Sequence, residues 1–124
     1  MKVIDKHHVV FVDVDGTLVE RFSNKFWRSS EEQEETRKKI ITIACSDFSQ
    51  ECIPNKTLID CIRREWQRGL SVIVWSQRGY DWAEAVVKAL ELNDIVEAVM
   101  SKPLRYYDDI DAKDFMGSRI EIYD

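Results

Sequence analysis

Phe11-Val12-Asp13-Val14-Asp15-Gly16-Thr17-Leu18 is the stretch whose reading decides the fold of this chain. Apolar residues 9–12 run directly into two carboxylates one residue apart, and a glycine follows at once. A run of Val and Phe that ends in glycine predicts a buried strand, residues 8–12, entering a turn. Two acids crowded at the end of such a strand repel each other. A cation or a reacting phosphate would relieve that repulsion, so Asp13 and Asp15 are read as candidate functional residues rather than turn formers.

Downstream, residues 70–75 (Leu-Ser-Val-Ile-Val-Trp) form an almost unbroken apolar run, which predicts a central parallel strand covered on both faces. Residues 95–100 read as the next strand. Before the central strand, Leu58, Ile59, Ile62 and Trp66 recur at helical spacing, with Asn55 as N-cap and Gly69 as the stop. After it, Gly79-Tyr80-Asp81 opens a second helix whose apolar stripe is Trp82, Ala85, Val86, Ala89 and Leu90. Residues 104–107 read as a short fourth strand ending in Asp108 and Asp109, residues 112–116 as a turn, and residues 120–123 as a last edge strand. This order is α/β and implies a mainly parallel, doubly wound sheet with right-handed crossovers.

An insert separates the first strand from the first long helix. Residues 31–39 carry four glutamates and then Arg37, Lys38 and Lys39, an order that suits a helix dipole but equally a solvated loop. Residues 40–53 read as a β-hairpin, with Cys45 and Cys52 facing each other across it. The whole insert, residues 20–54, is a flap on a single domain spanning residues 1–124.

The 124 residues suffice for one domain and one core. No apolar run approaches the roughly 18 residues of a membrane span, and the polar start lacks a signal-peptide core, so a cytoplasmic protein with no membrane partner is expected. Cys45, Cys52 and Cys61 form no CxxC pair, which argues for free thiols in a reducing compartment. A net charge of −5 argues against broad nonspecific nucleic-acid binding and leaves a local basic surface open.

In open α/β sheets, ligands bind at the carboxyl ends of the strands. The predicted strands bring Asp13, Asp15, Ser76, Lys102, Asp108 and Asp109 to that edge. The set suits phosphoryl transfer. A carboxylate can attack phosphorus, and Mg2+ takes one or two carboxylates with phosphate and water. A lysine neutralises the charge on the transferred group, and a hydroxyl or backbone N–H groups hold its oxygens.

The same residues resemble the haloacid dehalogenase (HAD) superfamily of phosphohydrolases. Asp13-Val14-Asp15-Gly16-Thr17-Leu18 is similar to its motif I, Ser76 after an apolar strand to motif II, Lys102 in Met-Ser-Lys-Pro to motif III, and Asp108-Asp109 to motif IV. The resemblance implies a HAD-like Rossmannoid fold and an Mg2+-dependent phosphatase that works through an aspartyl-phosphate. In it Asp13 is the nucleophile and Asp15 the general acid/base. Ser76, Gln77 and Lys102 hold the phosphate. Asp13, the Asp15 carbonyl, Asp108 and Asp109 form the metal set. Gly16 and Thr17 shape the turn.

The insert is too short for a large cap, so the chain looks like a small capless member of the kind that phages encode. In the family an uncapped site is associated with bulky substrates such as phosphorylated macromolecules. The expected substrate is thus a small or macromolecular phosphoester, a nucleic-acid end among them, and the protein a monomer or homodimer. Phe22, Phe26 and Trp27, set among Arg21, Lys25 and Arg28, either pack the flap onto the core or stack bases. Arg78 either reaches a substrate phosphate or is a surface arginine. The alternatives to an enzyme are a HAD-like binding or regulatory module without turnover, and a phospho-receiver.

Overall fold

The structure, a computed structural model, describes residues 3–21, 30–46 and 48–122. In chain order it contains β1 (Val9–Asp13), β2 (Val19–Arg21), α1 (Ser30–Lys39), β3 (Ile41–Cys45), β4 (Phe48–Pro54), α2 (Lys56–Gln67), β5 (Ser71–Ser76), α3 (Tyr80–Ala89), β6 (Val96–Ser101) and α4 (Ala112–Phe115). The strands form two sheets. One is parallel, in the order β1-β5-β6, and the other is antiparallel, in the order β2-β4-β3.

The apolar run at residues 70–75 becomes β5, the central strand, as its composition predicts. Val72 and Val74 lie between Val10 and Val12 of β1 and Val96 and Val99 of β6. These side chains meet Leu58 and Ile62 of α2 and Trp82 and Val86 of α3 in one core. Val9, Phe11, Ile73, Trp75 and Met100 alternate onto the opposite face and take no part in that core. There Phe11 stacks on Trp75 with ring centroids 4.3 Å apart, and Val9 and Phe11 remain 40% exposed.

Helices thus cover one face of the parallel sheet among the described residues, not the two faces of a doubly wound sheet. Topology supplies the reason. β5 is added beside β1 and β6 beside β5, always in the same direction, and crossovers of the usual right hand then put both helices on one side. Covering the second face requires a strand on the other edge of β1. Residues 104–107, read as a short fourth strand, instead run as irregular chain, with Leu104 86% and Tyr107 95% exposed. The edge strand expected at the C-terminus is also absent from residues 120–122, and residue 123 lies outside the described residues.

The flap hairpin forms as β3 and β4, and β2 joins it as a third strand. Its register corrects one expectation: Cys45 pairs with Phe48, and Cys52 with Ile41, so the two cysteines do not face each other. The connection is only two residues long, and Ser46 takes φ +47°, the left-handed conformation such tight connections use. All three cysteines are free thiols. The charged stretch before the hairpin is a helix, α1, with Glu31 and Glu32 in its first turn, three basic residues in its last and no buried side chain. The aromatic and basic residues at 22–28 lie outside the described residues. No described helix is long and apolar enough to cross a membrane.

Candidate active site

β1 ends in a loop organised by main-chain atoms. The Val14 carbonyl accepts the N–H groups of Thr17, Leu18 and Val19 at 3.1, 2.9 and 3.2 Å, and Gly16 N–H donates to Val19 O at 2.9 Å. Gly16 takes φ +77°, which only glycine adopts without strain. Val14 and Leu18 point into the core, both fully buried, so Asp13 and Asp15 are left facing outward on either side of Val14. Asn55 ties this loop to α2. Its Nδ2 donates to Thr17 O at 3.1 Å and to Ile122 O at 2.7 Å, and its Oδ1 accepts Leu58 N–H at 3.1 Å as the helix cap.

Asp13 meets a lysine from the far strand. Lys102 Nζ lies 3.2 Å from Asp13 Oδ1, and Thr17 Oγ1 donates to Asp13 Oδ2 at 3.2 Å. Lys102 is held from both sides. Its N–H donates to Ser76 O at 2.9 Å, and its ammonium sits 5.7 Å from the Trp75 ring centroid. The strand end before it is anchored to α3, whose N-cap Gly79 offers no side chain; the Ser101 hydroxyl accepts Tyr80 N–H at 2.9 Å instead.

Asp15 meets a different cation. Arg78 Nη1 lies 3.3 Å from Asp15 Oδ1 and 2.8 Å from Gln50 Oε1, so one guanidinium links the motif loop to the flap. Its carbon stands 4.4 Å over the Trp82 ring and 5.0 Å over Phe48, two rings that pack on each other with centroids 5.5 Å apart, so the fork rests against an aromatic pair. Trp82 Nε1 also donates to Asp15 Oδ1 at 3.4 Å. Beside this cluster opens a cleft of about 610 Å³, lined by Asp15, Gly16, Arg21, Phe48, Gln50 and Arg78. Buried Cys52 pairs across the antiparallel sheet with Arg21, one of the lining residues. Burial pushes its thiol pKa up, Asp15 adds to the rise, and Arg78 and Arg21 oppose it.

The remaining predicted residues are placed differently. Ser76 ends β5 as expected but is 1% exposed, and its Oγ accepts Arg78 N–H at 3.0 Å, which shapes the turn at residues 76–79. Gln77 is exposed in that turn. Asp108 and Asp109 are exposed; Asp108 Oδ1 accepts Ile110 N–H at 3.0 Å, and no described hydrogen bond or ion pair joins either to Asp13 or Asp15. Among the described residues, no group of three or more His, Cys, Asp and Glu side chains is arranged to hold a metal ion. The oxygen donors at the strand end are the Asp13 carboxylate and the Asp15 carboxylate and carbonyl. Carboxylate and carbonyl oxygens are the donor type that Mg2+ takes, one or two carboxylates at a time with phosphate and water.

Sequence reading missed the flap's share of the site. Gln50 and Phe48 reach Arg78 across long separations in the chain, and nothing local marks them. Trp82 is a core residue, 1% exposed, as its helical spacing says, yet its indole N–H is also spent on Asp15. A second cavity, of about 250 Å³, lies at the opposite end of the strands beside Ser71 and Ile95 and holds none of the predicted site residues.

No family model, no curated protein and no solved structure matches this chain. The HAD resemblance therefore rests on the motif residues alone.

Proposed function

We infer that the protein is a HAD-like, Mg2+-dependent phosphatase that acts through an aspartyl-phosphate. The observation that carries this reading is the Asp13–Lys102 pair at the carboxyl edge of a parallel sheet, with Asp15 on the same loop. A carboxylate that attacks phosphorus needs a cation at hand for the charge of the transferred group, and Lys102 supplies one. Asp15, two residues on, has its Oδ1 engaged by Arg78 and Trp82, and its Oδ2 would handle a proton on the leaving side.

The reaction has two steps. Asp13 attacks phosphorus, the bond to the leaving oxygen breaks, and Asp15 gives that oxygen a proton. Water then attacks the same phosphorus, Asp15 takes a proton from it, and the bond to Asp13 breaks to release phosphate. Asp13 and the Asp15 carbonyl would hold the metal, with Asp108 or Asp109 as the further ligand that the HAD resemblance assigns. When bound, Mg2+ supplies charge stabilisation at the phosphate oxygens. Thr17 orients Asp13 through its hydroxyl, and Trp82 and Arg78 orient Asp15. Ser76 and Gln77 frame the phosphate's side of the turn.

The test is phosphate release from an aryl phosphate and from 3′- and 5′-phosphorylated oligonucleotides, with Mg2+, with EDTA, and with the Asp13→Asn variant. Release that needs the metal and is lost in Asp13→Asn is the expected result. Release by Asp13→Asn at the wild-type rate overturns the nucleophile. No release from folded wild-type protein on any of these substrates favours a binding module that keeps the residues without turnover.

A further inference from the structure

We propose that the cleft between Asp15 and the flap is a second anion subsite, which binds a further phosphate on the substrate's leaving group and stacks its base on Phe48. The substrate class is then a nucleotide phosphomonoester that carries an additional phosphate. This inference rests on the phosphatase reading for its orientation. The cleft opens on Asp15, the residue that protonates the leaving oxygen, and Asp13 is not among its walls. What occupies it is therefore the leaving group and not the transferred phosphoryl.

The chemistry of the walls selects the ligand. Among the described residues Asp15 is the only acid that lines the cleft, and Arg78 already answers its charge at 3.3 Å. Arg21, at the end of β2, forms no ion pair with another described residue and adds a second guanidinium to the wall. Gln50 spends its Oε1 on Arg78, and its Nε2 and the Ser49 hydroxyl have no partner among the described residues. A guanidinium, an amide N–H and a hydroxyl with no protein acceptor make a donor-rich wall, which suits phosphate oxygens. Phe48 stands in the same wall, 42% exposed, with its ring seated against Arg78. A planar face beside phosphate donors fits a nucleobase, and every base has a π-face to offer it. At about 610 Å³ the cleft has room for a nucleoside.

The additional phosphate belongs either to a free nucleotide or to the backbone of an oligonucleotide end, and both present the same chemistry. The experiment titrates the Asp13→Asn protein, with Mg2+ present, by calorimetry. The probes are adenosine 5′-monophosphate, adenosine 3′,5′-bisphosphate and a 3′-phosphorylated tetranucleotide. The bisphosphate is expected to bind about tenfold or more tightly than the monophosphate, a preference that Arg21→Gln removes. Equal affinity for the two, or a preference that survives Arg21→Gln, overturns the subsite. Tighter binding of the tetranucleotide than of the bisphosphate assigns the site to polynucleotide ends, and the reverse order assigns it to free nucleotides. Because this readout is binding, it stands apart from turnover. A preference that depends on Arg21, found in a protein that releases no phosphate, keeps the subsite and overturns the phosphatase.

Discussion

Lys102 Nζ stands 3.2 Å from Asp13 Oδ1, and the two residues close a parallel sheet from opposite edges, one at the end of β1 and the other just past β6. The central strand lies between them, and its last residue, Ser76, fixes the Lys102 backbone through its carbonyl. The pair is only partly covered, at 34% and 30% side-chain exposure, so it is open to a ligand without being fully solvated.

Removing that cation tests the chemistry directly. Lys102→Met keeps the stem that lies along Trp75 and deletes the charge. The expected result is a fall in kcat of about 100-fold or more with little loss of stability. Phosphate-release kinetics with a parallel denaturation curve check both halves. A kcat within a few-fold of wild type would remove Lys102 from the site.

Arg78 is the link between flap and core, so Arg78→Ala should loosen the flap more than it loosens the sheet. Its ion pair with Asp15 is over a third exposed and contributes little by itself, and the aromatic contacts add a further increment, for a total cost of about 1 kcal/mol. Amide exchange should quicken in β4 around Gln50 while β5 keeps its protection. Uniform quickening across both sheets would show instead a loss of global stability.

Asn55 is more than a helix cap. Its side chain makes three buried or half-buried bonds, to Leu58, Thr17 and Ile122, and Asn55→Ala leaves all three partners without it. A cost of about 3 kcal/mol is expected, against about 1 for an ordinary cap. Urea denaturation distinguishes the two values. Activity should fall as well, because Thr17 sits next to the carboxylates.

Cys52 gives the protein a base-sensitive component. Its thiol pKa is raised in the fold by burial above its unfolded value of about 8.5. The stability it contributes is therefore complete below that value and is lost as pH rises through the higher folded pKa. Unfolding midpoints measured from pH 7 to pH 10 should fall more steeply for wild type than for Cys52→Ala. At neutral pH a thiol reagent should reach half-buried Cys61 before Cys45 or Cys52.

Much of this was legible because it is local. The apolar runs of β1 and β5, the stripes of α2 and α3, the Asn55 cap and the hairpin all announce themselves through period and turn chemistry. Residues 104–107 show where local reading ends. Alternation and aromatic content favour a strand there, but a strand needs a neighbour to complete its ladder, and propensity cannot say whether one is present. α1 was ambiguous for the opposite reason. It buries nothing, so no apolar period betrays it, and only charge order hints at helix. At the site, sequence placed Asp13, Asp15 and Lys102 at one edge from strand direction alone. The contacts of Gln50, Phe48 and Trp82 depend on how the flap lies on the sheet, which no spacing encodes.

The three N–H groups gathered on the Val14 carbonyl have one more consequence. The distance between the two acids is set by peptide geometry, and the main-chain bonds that close the turn do not run through either carboxylate. Asp13→Asn and Asp15→Asn should therefore alter charge on a scaffold that stays put, so that differences in their kinetics, metal affinity or spectra can be read as chemistry and not as collapse of the frame.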